Sequence, residues 1–387
     1  MPLRLHKINL SQFRNYEALR LDAGSARAVV LTGDNGAGKT NILEAISLLV
    51  PGKGLRGAEA AELKNRHASA SENWAISVEL ETAQGEKIRI GTSAAADGKR
   101  RAVRVGGKDS KNQRMLSDYA AAVWLTPQMD RLFLEGPSVR RKFIDRLAFS
   151  YQPDHMTQTG RYEKALRERL KILQNPRMND PSWLITLEAQ IAAGAVSIAA
   201  ARGALINSLM RHGALLGAQA PLFPRPNLGM AGWVDAELEN RPALDIEEEL
   251  KEKLAKNRTV DRDTGRTHEG AHRSDLSAFY ASEDMPAAQC STGEQKALLV
   301  SIILAHALMM KSEKGYVPLI LLDEVAAHLD EARREQLFSV LTALEGQIWL
   351  TGTDARIFSS LKANARFFRV ENGQAHESAT QTRGIAS

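Results

Sequence analysis

Gly33-Asp34-Asn35-Gly36-Ala37-Gly38-Lys39-Thr40 is the stretch on which the reading of this chain turns. It fills the spacing G-x4-G-K-T completely. The glycines let backbone N–H groups converge on an anion, and a helix starting at the end of the loop aims its positive pole at the same point. Lys39 is placed to reach the β- and γ-phosphates of a nucleotide, and the Thr40 hydroxyl to hold Mg2+. The flanks agree. Ala28-Val29-Val30-Leu31 reads as a buried strand, and Ile42, Leu43, Ile46 and Leu49 fall at helical spacing until Pro51-Gly52 interrupts them.

Far along the chain, Leu319-Ile320-Leu321-Leu322-Asp323-Glu324 supplies what such a loop needs as a complement. Four apolar residues bury a strand, Asp323 emerges at its end to hold Mg2+, and Glu324 is placed to orient or deprotonate an attacking water. Between them lies Cys290-Ser291-Thr292-Gly293-Glu294-Gln295, just ahead of an apolar helix expected over 298–310. A serine, a glycine two residues later and a helix N-terminus make a second anion site. It resembles the signature of ABC-type ATPases, which contacts the nucleotide held by a partner subunit. That resemblance adds Asp330 as the D-loop residue, and it makes Gln128, in Thr126-Pro127-Gln128-Met129-Asp130, either a Q-loop glutamine near nucleotide and Mg2+ or an ordinary turn residue after proline. It also puts Thr353 or Asp354 where transporters carry a switch histidine.

Between these ends the periodicity changes. From about 74 to 105 it is two (Ile76, Val78, Leu80; Ile88, Ile90; Val103, Val105), as in an antiparallel meander. Lys99-Arg100-Arg101 falls at a turn of it and reads equally as a solvated loop or a DNA-facing tip. Residues 129–219 read as helical. Tyr162, Leu166, Leu170 and Leu173 mark one amphipathic helix, and Asp180-Pro181 opens another, along which Leu184, Ile191, Ile198 and Leu205 form a packing seam. The proline-rich segment 220–227 reads as a linker, 246–255 as a charged helix, and the tail after His376 as frayed.

Composition narrows the class. The chain has 387 residues, a single cysteine (Cys290) and a formal net charge of +5, which excludes an intrachain disulfide and favours nucleic acid only weakly. With no apolar run near the ~20 residues of a membrane span and no signal-peptide core, a cytoplasmic protein without a membrane partner is expected. The expected fold is α/β, an ABC-type ATPase head with a P-loop, a mixed sheet plus antiparallel meander, and an inserted helical lobe. Residues 1–120 and 300–387 would form the ATPase lobe, and 121–299 the helical one.

Several stretches resemble the RecF family of bacterial recombination and repair proteins, relatives of the SMC-type ABC ATPases. These are Phe13-Arg14-Asn15-Tyr16, the loop through Asn41, Glu135-Gly136-Pro137-Ser138 with Arg140-Arg141-Lys142-Phe143-Ile144-Asp145, and Gly270-Ala271-His272-Arg273-Ser274-Asp275-Leu276. Ala271 stands where proline is expected, and Glu324 where many members carry aspartate. The resemblance implies ATP and Mg2+ as cofactors, weak ATPase activity and an ATP-dependent homodimer. It further implies binding to double-stranded, gapped and single-stranded DNA, partnership with RecR and RecO in loading recombinase, and a part in the SOS response. Arg140, Arg141, Lys142 and the Lys99 cluster are candidate DNA-phosphate contacts, with a solvated face as the alternative. Two other readings are a transporter-type ABC subunit and a binding scaffold in which nucleotide is structural. The long separation of Lys39 from Ser291 and the missing switch histidine weigh against the first. The complete set Thr40, Asp323 and Glu324 weighs against the second.

Overall fold

The computed structural model of the chain describes residues 3–95, 98, 100–110, 112–175, 181–280 and 285–378. Lys99, Asp180 and most of the tail read as frayed fall outside them. Alternating apolar residues fold the first segment into a hairpin of β1 (Arg4–Phe13) and β2 (Tyr16–Asp22), with Phe13 opposite Tyr16 across a two-residue turn. The buried strand β3 (Ala28–Thr32) leads through the glycine loop into α1 (Lys39–Ser47). The period-two region then forms β4 (Ala75–Glu81), β5 (Lys87–Ala94), β6 (Arg101–Val105) and β7 (Lys108–Ser110). Together they make an antiparallel sheet in the order β2-β1-β4-β5-β6-β7. A register shift between Leu5 and Lys7 moves the phase of β1, so that Leu5 and Ile8, three apart, both point into the core.

Strand β8 (Ala122–Leu125) follows, and after it the helical region: α2 (Pro137–Tyr151), α3 (Asp154–Gln174) and α4 (Pro181–Gln219). Next come β9 (Pro226–Ala231), α5 (Trp233–Leu238), α6 (Ala243–Lys256), α7 (Arg258–Thr264), β10 (Asp275–Tyr280) and β11 (Met285–Pro286). The last third is α8 (Thr292–Lys314), β12 (Leu319–Leu322), α9 (Glu331–Leu344), β13 (Ile348–Gly352), β14 (Ala365–Glu371) and β15 (Gln374–Glu377). A second six-stranded sheet runs β15-β14-β3-β13-β12-β8, parallel except for β15. The loop-bearing β3 and the acidic β12 therefore lie either side of β13.

Two compact units result. The first comprises Met1–Asp130, Leu215–Phe223 and Leu299–Ser387, the second Arg131–Ala214 and Pro224–Leu298. Residues 121–130 fall in the first unit because Ala122-Val123-Trp124-Leu125 completes the parallel sheet beside β12. Inside the first unit one core joins the meander face (Ile76, Val78, Leu80) to α1 (Ile42, Leu43, Ile46) and to Trp349 of β13. The second has its own core, in which Tyr162 and Ile172 of α3 meet Leu184, Ile191 and Ile198 of α4 and Ile246, Leu250 and Leu254 of α6. The seam predicted along α4 is buried throughout, Leu205 included. The segment read as a linker ends in β9, which pairs antiparallel with β10.

One expectation about length needs correcting. By composition α4 and α8 each contain a window apolar enough and long enough to cross a bilayer. Neither is free of the protein interior: half of the window in α4 is buried, and α8 is a core helix. In α8 83% of that window is buried, and α4 carries Glu188 and Arg202, each 3% exposed and ion-paired within the protein.

Candidate nucleotide site

The phosphate loop takes the shape its glycines permit. Gly33, Gly36 and Gly38 have φ of 146°, 82° and 112°, the left-handed side that side chains disfavour. A Cβ on Gly33 would lie 2.2 Å from the Val370 carbonyl oxygen, and one on Gly38 2.5 Å from Asn15 Nδ2. Lys39 opens α1 and is buried. Its ammonium donates to the carbonyls of Gly33 at 2.8 Å and Asp34 at 2.9 Å. Burial lowers its pKa against the raising influence of Glu324, Asp323 and Asp34. Asp34, Asn35 and Ala37 lie in the loop itself, and Thr40 and Asn41 follow Lys39 in the first turn of α1.

The two distant motifs meet here. Thr40 Oγ1 donates to the carboxylate of Asp323, 2.9 Å from Oδ1 and 3.0 Å from Oδ2, although 283 residues separate them. A hydroxyl on a carboxylate is the hard-oxygen pair that Mg2+ takes alongside phosphate oxygens, so the donor set fits the ion. Burial raises the Asp323 carboxyl, opposed by hydrogen bonds from Thr351 and Thr40 and reinforced by Glu324. Glu324 follows in a left-handed conformation with φ 55°.

Sequence reasoning missed the residues that brace this arrangement. Tyr16 donates its hydroxyl to the Gly38 carbonyl at 3.0 Å, and Asn15 Nδ2 donates to the Ala37 carbonyl at 3.1 Å. Asn41 Nδ2 donates back to Asn15 Oδ1 at 2.7 Å. Arg14 makes a two-pronged bond to Glu44 of α1, whose carboxylate is fully buried and also receives Arg56. Phe13 packs edge-on against Trp74. The stretch 13–16, legible in the sequence as a turn and a family resemblance, is thus also the strap that fastens the first hairpin to the phosphate loop. Thr351 is the other omission. Its hydroxyl donates to Asp323 Oδ1 at 2.8 Å and accepts the Glu324 N–H at 2.9 Å.

The remaining candidates occupy varied settings. Gln128 is exposed on the single turn Pro127–Arg131 that follows β8, whose last residue pairs with Leu322. Asp330 caps α9, its side chain accepting from the Arg333 N–H at 2.8 Å. Asp354 likewise accepts from the Arg356 N–H and side chain, while Thr353 is exposed. In the second unit, Ser291 stands immediately before α8. Its backbone N–H and hydroxyl both donate to the Glu294 carboxylate, and its hydroxyl accepts the Glu294 N–H, a reciprocal capping box. Glu294 carries the sign of a phosphate, and its carboxylate is turned onto Ser291. Gly293 has nothing within 4 Å of where a Cβ would sit, which leaves the backbone there open to a large anion.

Three of the arginines read as candidate DNA contacts, Arg101, Arg140 and Arg141, are occupied internally, while Arg100 is exposed. Arg140 grips Asp275 through two bonds of 2.7 and 2.6 Å and also reaches the carbonyls of Phe133 and Glu135. Arg141 donates to the Ser274 carbonyl at 2.6 Å. Beneath them Asp145 takes a two-pronged bond from Arg202, which also holds the Ala271 carbonyl, and Tyr162 bonds His272. The two family-like stretches 135–145 and 270–276 are therefore halves of one clasp. Of Arg140, Arg141 and Lys142, the lysine alone is exposed. Arg101, read as part of a tip, is 6% exposed and donates to the carbonyls of Leu48, Val50 and Gly52, its pKa lowered by burial to about 10.

A phosphate loop joined to an Asp-Glu strand end across one intervening parallel strand, with a meander attached and a helical unit inserted, defines an ABC-type ATPase head. Comparison with known proteins places it more closely. Residues 4–376 match the RecF/RecN/SMC N terminal domain family. The chain is 43% identical to the DNA replication and repair protein RecF of Mesorhizobium japonicum over 96% of its length and 98% of the relative's. It is 44% identical to that of Agrobacterium fabrum over 95% and 97%. A solved structure of the recombination mediator protein RecF with ATPrS, in the RecFOR pathway, shares the fold with a TM-score of 0.84. Its identity is 22%, over 98% of this chain and 99% of that one. The chain belongs to the RecF family.

Proposed function

We propose that this protein is an ATP-operated DNA-binding switch of recombinational repair and replication. Nucleotide occupancy would control a dimer on double-stranded or gapped DNA, and hydrolysis would be slow. The observation that carries the reading is the Thr40–Asp323 contact, because it joins a phosphate cradle to a metal-holding carboxylate at one point. Lys39 would neutralise the β- and γ-phosphates, and the backbone of 33–38 would cradle them. Thr40 and Asp323 would hold Mg2+, which supplies charge neutralisation on the phosphates when bound. Glu324 would orient the attacking water and take its proton as the bond to the γ-phosphorus forms and ADP leaves. Gln128 and Asp330 would report the state of the site to neighbouring elements.

The lid would come from a second copy. The amides of α8 beyond Ser291 and Gly293 suit a γ-phosphate held by another subunit, so ATP would favour a two-fold dimer and its loss would release it. The names of the relatives support DNA repair and replication, and the solved RecF structure with ATPrS supports ATP as the ligand. By the same kinship the partners would be RecR and RecO in the bacterial cytoplasm, acting in recombinase loading and the SOS response.

Turnover of ATP by the purified protein, with and without gapped DNA at low salt, tests the enzyme. DNA-stimulated turnover that disappears in Lys39→Met is expected, and its absence under all conditions overturns the hydrolytic reading. Sizing with and without ATP tests the dimer, which Ser291→Arg should abolish. A protein that stays single at saturating ATP removes the lid.

A further inference from the structure

We infer that Thr351 is the positioning residue that sets the direction of Glu324 relative to Asp323, resting on the hydrolytic role proposed for that pair. Thr351 belongs to β13, the strand between the loop-bearing β3 and the acidic β12. The β12–β13 ladder runs through Leu322 and Leu350, so Asp323 and Thr351 are the next residues of each strand, at the edge where the site begins. Thr351 is 1% exposed and Asp323 4%.

The single hydroxyl performs two tasks at once. Its proton goes to Asp323 Oδ1, and its lone pair takes the backbone N–H of Glu324. A hydroxyl has one proton to give, so each bond fixes the rotor for the other. The Glu324 N–H is held where the backbone takes φ 55°, a conformation that a side-chain-bearing residue adopts only when its surroundings impose it. Thr40 fixes the same carboxylate from the other side. Asp323 is therefore clamped between two hydroxyls, and only one of them, Thr351, also grips the neighbouring glutamate. The hydroxyl of Thr351 is spent on Asp323 and Glu324, so its role is positional. It acts through Glu324, and groups that orient reacting residues in this way typically change activity or metal affinity by about 10- to 100-fold when removed.

Thr351→Val keeps the branched shape and removes both bonds, whereas Thr351→Ser keeps the hydroxyl. Two readouts are taken on the full-length protein. The first is amide hydrogen exchange over 319–327 without nucleotide, which needs no catalysis. The second is steady-state ATP turnover beside ATP affinity. Thr351→Val should expose the Glu324 amide while leaving β12 protected, and should lower kcat by about 10-fold or more with KM changed less than about threefold. Thr351→Ser should restore both. The inference is overturned by unchanged exchange in Thr351→Val, or by raised exchange with undiminished kcat. It is equally overturned by a valine variant that loses KM and thermal stability along with kcat and is not rescued by serine. If the parent protein protects the Glu324 amide yet never hydrolyses ATP, the hydrolytic reading has failed, and the assignment of Thr351 to catalysis goes with it.

Discussion

The hydroxyl of Tyr16 donates to the main-chain carbonyl of Gly38 at 3.0 Å, so a residue of the first hairpin holds the last glycine of the phosphate loop. Burial pushes the phenol well above its ordinary value, and the group remains a donor at any working pH. In Tyr16→Phe the Gly38 carbonyl loses this partner. The expected cost is about 1 kcal/mol of stability, with ATP affinity several-fold weaker because the loop is less well held. Chemical unfolding and nucleotide titration of the same preparation check both.

The three loop glycines should differ in their tolerance of alanine. At Gly36 there is nothing within 4 Å of a Cβ, and the penalty is the left-handed backbone alone, about 1–2 kcal/mol. At Gly33 and Gly38 φ lies still further from what a side chain tolerates, and collisions are added, with the Val370 backbone in one case and with Asn15 and Tyr16 in the other. Urea midpoints should therefore rank Gly36→Ala above both. A Gly38→Ala protein as stable as Gly36→Ala would contradict the packing described.

Arg140 and Arg141 should prove to be structural. Arg140→Ala breaks the two-pronged bond to Asp275 and is expected to lower the melting temperature. The slope of log affinity for DNA against log salt should stay unchanged, since no phosphate contact is removed. A slope reduced by about one unit would restore the DNA-contact reading.

Asp145 offers a test in acid. Burial alone would raise its carboxyl, but hydrogen bonds from His155 and Arg202 outweigh this and hold it below the ordinary 3.8. A folded-state value below the unfolded one contributes stability above about pH 4, lost as pH falls through the lowered value. Asp145→Asn leaves the buried Arg202 uncompensated and should cost about 3–5 kcal/mol at neutral pH. The gap between parent and variant should narrow as the solution is acidified, which thermal melts across the range would show.

What the sequence disclosed was whatever is local. The phosphate loop carries its own strand, turn and helix, and the acidic strand end announces itself by four apolar residues before Asp323. The period-two run became β4 to β6 for the same reason. What it concealed was pairing across distance. Ala122-Val123-Trp124-Leu125 is too short to show a period, and only β12 beside it makes it a strand. Thr351 looks like any threonine until β13 is laid next to β12. Arg140 and Asp275 stand 135 positions apart, and a cluster of arginines reads identically whether it meets water, phosphate or a carboxylate. The buried Arg101 was misread for that reason too.

The order of the parallel sheet also bears on how the protein is made. Strand β3 is completed early, yet its partners are β13 and β14, so nothing can flank it until residue 348 and beyond have been synthesised. Its five residues are all buried in the finished sheet, which leaves a sticky, unpaired ribbon on the growing polypeptide throughout nearly all of translation. The capacity to grip a triphosphate is thus among the last properties the nascent chain acquires. A ribosome halted before β13 would release a product with an intact glycine loop and no site.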